Sequence, residues 1–382
     1  MKITVSREIA DFAGIWPVLD QPGDHFAYAF QARDVLEVWL QTIGAARQTR
    51  PVFVSVSEPE GTPVMLLPLG IERQHGLRIL RFLDGGVSDY NAPVLFPGAN
   101  AIEPDAMNRL WAEIAGQLPR FDVAVLEKIP ADVTGMRNPM LALTPAADFS
   151  SGHLIRLNAK AEGAKTAAKQ FRFSDGPRKR RKLDALAVTR NFIATEPADI
   201  ARVMAEFIRQ KSRRYVETRG ADGFDRPGYR EYYHLMVERF CASGHVQLSA
   251  FLSGETPIAT HLGIVTRDRF YFLMPAHEGG AWAKLSPGLL HMEEIIAWSL
   301  ANGIGTFDMG VGDEGYKSRI ENDQLPLFRG QYSRTAAGSI YILLSAARRR
   351  LAAGPLGRAV RARRKSQAGK TGRSGTEQEP SD

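Results

Sequence analysis

Residues 52–64 and 246–258 align at a shift of 194 positions: Val52, Ser55, Thr62 and Pro63 fall on Val246, Ser249, Thr256 and Pro257, and Val64 falls on Ile258. Four identities alone say little, but the pattern around them repeats as well. Residues 27–47 carry Phe30, Val35, Leu36, Trp39, Leu40 and Ile43 at helical spacing, followed by strand-like runs over 52–57, 64–71 and 77–83. The turns between them are Glu58-Pro59-Glu60-Gly61 and Arg73-Gln74-His75-Gly76. The second half offers a helix over 229–242, strands over 246–252, 258–265 and 270–274, and turns at Ser253-Gly254-Glu255 and Thr266-Arg267-Asp268. Each half then adds a helix and a strand, 108–116 before 121–126 and 288–300 before 306–309. A meander followed by a helix and another strand predicts a mixed α/β sheet flanked by helices, built twice.

The length of 382 residues agrees, since it exceeds what one hydrophobic core usually serves. The expected division is a first module over 1–150, a basic connecting segment over 151–190, a second module over 191–335 and a basic helix with a disordered tail over 336–382. No run approaches the roughly 18 apolar residues of a membrane span, and the first residues hold no apolar leader, so a cytoplasmic protein is expected. Cys241, the sole cysteine, leaves no disulfide and no thiolate cluster, and no metal is expected.

The net charge of +7 is misleading until it is located. After residue 345 there are ten Lys or Arg against Glu377, Glu379 and Asp382, which leaves 39 basic and 39 acidic residues elsewhere. The body is therefore neutral, and the tail reads as a solvated helix and disorder or as a peripheral contact with an anionic membrane. Residues 160–182 form a second basic stretch, densest from Gly176 to Lys182. It lacks the spacing of a nucleic-acid-binding motif, so no specific nucleic-acid partner is expected. A solvated face, or a basic lip over an anionic substrate or coenzyme phosphates, remains.

The residues that carry chemistry fall between 284 and 317. Ser286-Pro287-Gly288 is a sharp helix start, with Ser as N-cap, Pro in the first turn and Gly permitting close approach. Its free N–H groups make a pyrophosphate seat. A strand enters this turn through a loop with Gly279, Gly280 and Lys284, and another strand returns through 304–309 after Asn302-Gly303.

With Ser88-Asp89-Tyr90, the string Phe-Ile-Arg-Gln-Lys-Ser-Arg-Arg-Tyr at 207–215, Pro257-Ile258-Ala259, Leu285-Ser286-Pro287-Gly288, and Phe307-Asp308-Met309-Gly310 leading to Glu314-Gly315-Tyr316-Lys317, the chain resembles the GNAT superfamily. More narrowly, it resembles the CelD/BcsL-type acetyltransferases of cellulose or exopolysaccharide biosynthesis, with their BioF2-like domain. The resemblance spans roughly 25–330. It implies two GNAT-like modules related to Fem-type transferases, and acetyl-CoA or another acyl-CoA as donor in the second. The GNAT phosphate loop usually reads Arg/Gln-x-x-Gly-x-Gly/Ala; Lys284 through Leu289 keep one basic residue and one glycine.

Acyl transfer needs an oriented acceptor, a route for its proton and a stabilised oxyanion. Asp308 is expected to face a cleft, since Phe307 and Met309 alternate with it. Tyr316 is placed to protonate the departing thiolate, and Lys317 to bind a phosphate or polarise the acyl oxygen; anchoring the loop is the plainer role for both. Lys284, Leu285, Ser286, Gly288 and Leu289 are expected at the donor. Asp89, Tyr90 and His261 are expected at the acceptor, a saccharide or small molecule, although His261 also fits as a core histidine. The reading is an acyltransferase acting in polysaccharide biosynthesis. Its alternatives are a Fem-like aminoacyl transferase on a cell-wall precursor and a catalytically silent scaffold.

Overall fold

The structure is a computed structural model describing residues 1–144, 148–157, 171–312 and 314–353. Its strands are β1 Lys2–Ser6, β2 Arg50–Ser57, β3 Pro63–Gln74, β4 Leu77–Phe82, β5 Val94–Leu95, β6 Val123–Pro130, β7 Asp132–Val133, β8 Met136–Arg137, β9 Asp148–Arg156, β10 Thr189–Ile193, β11 Val246–Ser253, β12 Thr256–Val265, β13 Arg269–His277, β14 Thr306–Val311 and β15 Asp323–Ser333. The α-helices are α1 Arg33–Trp39, α2 Pro104–Gln117, α3 Gly176–Asp184, α4 Pro197–Arg219, α5 Tyr229–Phe240, α6 Pro287–Ala301 and α7 Ala336–Ala353.

One mixed sheet runs β1-β2-β3-β4-β6-β15-β9-β14-β13-β12-β11-β10, with β5 paired to β3. Only β4 with β6 and β13 with β14 are parallel among its described pairs. A parallel pair needs a crossover, and these are where α2 and α6 intervene. The two modules, β2-β3-β4-α2-β6 and β11-β12-β13-α6-β14, thus share one order. They do not keep separate sheets. β9, made after the first module, pairs with β14 of the second; β15, made after the second, pairs with β6 of the first; and the two pair with each other. The exchange covers two strand edges that would otherwise present unpaired backbone groups. The stretch expected to be a basic connector accordingly opens inside β9 and contains α3, while residues 158–170 and the tail from 354 lie outside the described residues.

The helix predicted over 27–47 is interrupted. A 3-10 turn at Ala29–Gln31 precedes α1, and a π-helical turn at Leu40–Gly44 follows it, where the Thr42 hydroxyl donates to the Val38 carbonyl at 2.6 Å. Sequence periodicity did not anticipate α4. This helix buries Val203, Met204, Phe207, Gln210 and Tyr215 against the second module and stops at Gly220, whose φ of 78° closes it. On the opposite face α6 lays Met292, Ile295, Ile296 and Leu300 over Phe270, Phe272 and Phe307. Cys241 is buried, and its thiol is pushed up by that burial. Among the described residues no helix is long and apolar enough to cross a membrane.

Candidate active site

β13 and β14 pair at three positions, Arg269 with Thr306, Phe270 with Phe307 and Tyr271 with Asp308. Beyond them β13 continues to His277 along β12, while β14 bends at Gly310, whose φ is +68°, and meets β9 again at Val311 and Gly152. The strands therefore part at their C-terminal ends, past the last pair of Tyr271 with Asp308, on the side where α6 begins. The corresponding place in the first module is occupied. There, past Leu80 and Ala124, the loop from Asp84 to Asn91 takes the place of β4 beside β6. The Asn91 N–H donates to the Lys128 carbonyl at 3.0 Å. Asp84 accepts from the Gly86 N–H at 2.9 Å and the Asn91 amide at 3.2 Å, and forms an ion pair of 3.0 Å with Lys128.

That loop delivers Asp89 and Tyr90 to β14. The Tyr90 hydroxyl donates to Asp308 Oδ1 at 2.7 Å, Arg269 donates to Oδ2 at 3.0 Å, and the Gly310 N–H donates to Oδ1 at 2.9 Å. Asp308 does lie opposite Phe307 and Met309, but it is 1% exposed and both its oxygens are taken. It fastens the modules together and faces no open cleft. Tyr90 is likewise fully covered, packed on Tyr28 and Phe30, so its side chain is not positioned to touch an acceptor. Asp89 is different. It is partly exposed, its carboxylate lies against the backbone of Gly310, and the Val311 N–H approaches Oδ1 at 3.4 Å. Burial, with the Asp308 carboxylate close by, raises the Asp89 carboxyl to about 6 in spite of Lys128 and Lys317.

Lys317 is 3% exposed, and its ammonium donates to the carbonyls of Gly310 (3.3 Å) and Val311 (3.1 Å) and pairs with Glu314 at 2.9 Å. Burial would raise Glu314, but Lys317 outweighs it and holds the carboxyl low. Tyr316 is half-buried against the α6 core, where burial pushes its hydroxyl up, so it stays protonated. His261 does not reach the cleft. It stacks on Phe272 at 4.2 Å on the α6 face, fully buried, with neither ring nitrogen paired among the described residues, and burial holds it well below 6.5. It is a neutral core histidine.

At the start of α6, Ser286 occupies the N-cap position with φ +50° but does not cap; its hydroxyl accepts from Lys179 of α3 at 2.7 Å. Lys179 of the basic stretch therefore borders the helix start. Lys284 is exposed there, and Gly288 lies under the His277 ring, which a Cβ would approach to 3.2 Å. Leu285 and Leu289 are packing residues, the first beside Leu183 and Leu290, the second on the α6 core. Leu289 has given its N–H to the Ser286 carbonyl. Of the residues expected at the donor, Gly288 and Lys284 stay open to a phosphate, and Lys179, paired with Asp175 at 2.6 Å, borders them, a set that fits a phosphorylated donor.

Sequence reasoning missed two residues. Arg269 opens β13 as the buried counterion of Asp308. Lys211 of α4 donates to the Pro275 carbonyl at 2.9 Å on the diverging part of β13, and burial, with Arg219 nearby, lowers it to about 8. It lies within the 207–215 string, but only the pairing of α4 with β13 reveals its place. A cavity of about 510 Å³ beside Arg47, Arg81 and Glu127, bordered also by Pro227, includes none of the predicted site residues.

Residues 174–318 match the profile of the family described as Acetyltransferase (GNAT) domain. This part of the chain resembles a GNAT acetyltransferase domain. The matched residues hold α3, the diverging ends of β13 and β14, α6 and Lys317, whereas Asp89 lies outside them. Among solved structures, the crystal structure of FemX superposes with a TM-score of 0.54 at 9% identity, covering 83% of this chain and 94% of that one. A conserved protein of unknown function from Bacteroides thetaiotaomicron VPI-5482 gives 0.49 at 13% identity over 87% and 100% of the two chains. A tandem GNAT protein from the clavulanic acid biosynthesis pathway gives 0.40 at 10% identity over 84% and 91%. No curated protein sequence matches the chain.

Proposed function

We propose that the protein transfers an acyl group, acetyl in the simplest case, from coenzyme A to an amine or hydroxyl of a saccharide or saccharide precursor in polysaccharide biosynthesis. The observation that carries this is the divergence of β13 and β14, with the start of α6 at one side and Asp89 of the other module on Gly310. Gly288, Lys179 and Lys284 would hold the donor's phosphates; the bound coenzyme supplies an activated thioester. Asp89 takes the acceptor's proton as its nitrogen or oxygen bonds to the acyl carbon, a task suited to a carboxylate near 6. Lys211, near 8, gives a proton to sulfur as the C–S bond breaks. The saccharide class rests on the motif resemblance described above.

The test is calorimetry with acetyl-CoA, paired with thiol release in the presence of amino sugars and hexoses. Micromolar binding and acceptor-dependent release are expected, with Asp89→Asn keeping the binding and losing the release. Absence of binding to acetyl-CoA and longer acyl-CoAs would remove the donor assignment. Binding without release on any saccharide would remove the acceptor class.

A further inference from the structure

Helix α7 is apolar on two sides. Tyr341 and Ile342 pack onto Leu77, Ile79, Val123 and Val125 of the first module, and the Arg349 guanidinium donates to Ser345 Oγ and Gln331 Oε1, both at 3.3 Å. On the other side Ile340, Leu343, Leu344 and Leu351 are 57%, 70%, 58% and 72% exposed. Four of the ten exposed large apolar side chains of the described residues thus lie on this one helix. At about 100° per residue they fall, with Ala347, within a sector roughly 100° wide opposite the packed side. Arg348 and Arg350 fall roughly 80° to either side of its centre. Both are exposed, and α7 contains no acidic residue.

An apolar stripe bordered by guanidinium groups matches the boundary between acyl chains and anionic headgroups. The stripe enters the acyl region while the long arginine stems reach back to phosphate. The sequence continues the charge, with no Asp or Glu between Gln324 and Thr376 and seven further Lys or Arg after Ala353. A second copy of α7 would set Arg348 and Arg350 against their own kind. We propose that α7 lies in the surface of an anionic lipid bilayer, docking the protein there through Ile340, Leu343, Leu344 and Leu351, with Arg348 and Arg350 on the headgroups. The inference is independent of the acyl-transfer reading.

The full chain is to be sedimented with vesicles of phosphatidylcholine alone and of phosphatidylcholine with phosphatidylglycerol, and its mass in solution taken by light scattering. Capture by the anionic vesicles is expected. It should fall at least about tenfold when Ile340, Leu343, Leu344 and Leu351 are all changed to Ser, positions exposed enough that the fold keeps its melting transition. Arg348→Glu with Arg350→Glu should weaken capture as well. Wild-type protein left in the supernatant would overturn the proposal. So would equal capture of the serine variant, which would mean that the basic tail alone binds. A dimer that the serine variant dissociates, without vesicle capture, would assign the stripe to a second copy instead.

Discussion

Replacing Asp89 by Asn should make the protein more stable, and only above a defined pH. In the native state this carboxyl titrates at about 6 instead of 3.8, because burial and the Asp308 carboxylate disfavour its charge. At about 1.4 kcal/mol per pH unit, keeping it ionised costs the fold about 3 kcal/mol. Part of the side chain reaches solvent, so we take about 2 kcal/mol. A native carboxyl that holds its proton more tightly than the unfolded one contributes stability that is complete below 3.8 and lost as the pH rises through 6. The Asn variant has no such loss. Urea unfolding of both proteins at pH 4 and pH 8 should therefore give curves that nearly coincide at the lower pH and separate by about 2 kcal/mol at the higher, with unchanged slope. A constant gap at both pH values, or a less stable variant at pH 8, would refute the placement of Asp89 against Gly310 and Asp308. A charged group kept at the expense of stability is what a reactive position requires.

Asp308→Asn should cost about 3–5 kcal/mol in urea unfolding, since it leaves Arg269 buried without its counter-charge; an inactive variant of native stability would restore the catalytic role expected from the sequence. Tyr90→Phe, which removes one hydrogen bond to that carboxylate, should cost about 1.5–3 kcal/mol. Gly152→Ala would set a Cβ 2.8 Å from the Tyr90 ring and should lower stability by about 1–3 kcal/mol, a cost that should largely vanish when the same change is made in a Tyr90→Ala background. Lys211, depressed to about 8 from 10.5, contributes stability present above 10.5 and lost as pH falls through 8. The full depression corresponds to about 3.5 kcal/mol; since Lys211 is partly exposed, Lys211→Met should be about 2 kcal/mol more stable at pH 7 and converge on wild type near pH 11.

Local pattern was read well where alternation and turn chemistry agree. The expected run 52–57 is β2 Arg50–Ser57, 246–252 is β11 Val246–Ser253, and 288–300 is α6 Pro287–Ala301. The start of α6 shows the limit of that approach. Ser286 stands at the cap position, yet Lys179, more than a hundred residues earlier, holds its hydroxyl. Asp308 shows the same limit at the site. Strand alternation could tell which face it takes, but not that Tyr90, 218 positions away, and Arg269 would enclose it there. His261 was open between cleft and core because a β-strand pattern does not say which face α6 will cover. Asp89 and Lys211 owe their shifted acidities to neighbours brought by other elements, which no spacing along the chain encodes.

The exchanged strands bear on how the chain is made. β6 ends at Pro130, but its partner β15 begins only at Asp323. At about 5–20 residues per second, synthesis leaves that edge without β15 for roughly 10–40 s. Through this interval a nascent first module is half a sheet with an adhesive border, poised to join a neighbouring polypeptide on the same polysome. Assembly can close only when β15 slides between β6 and β9, so productive folding waits on the synthesis of residues 323–333.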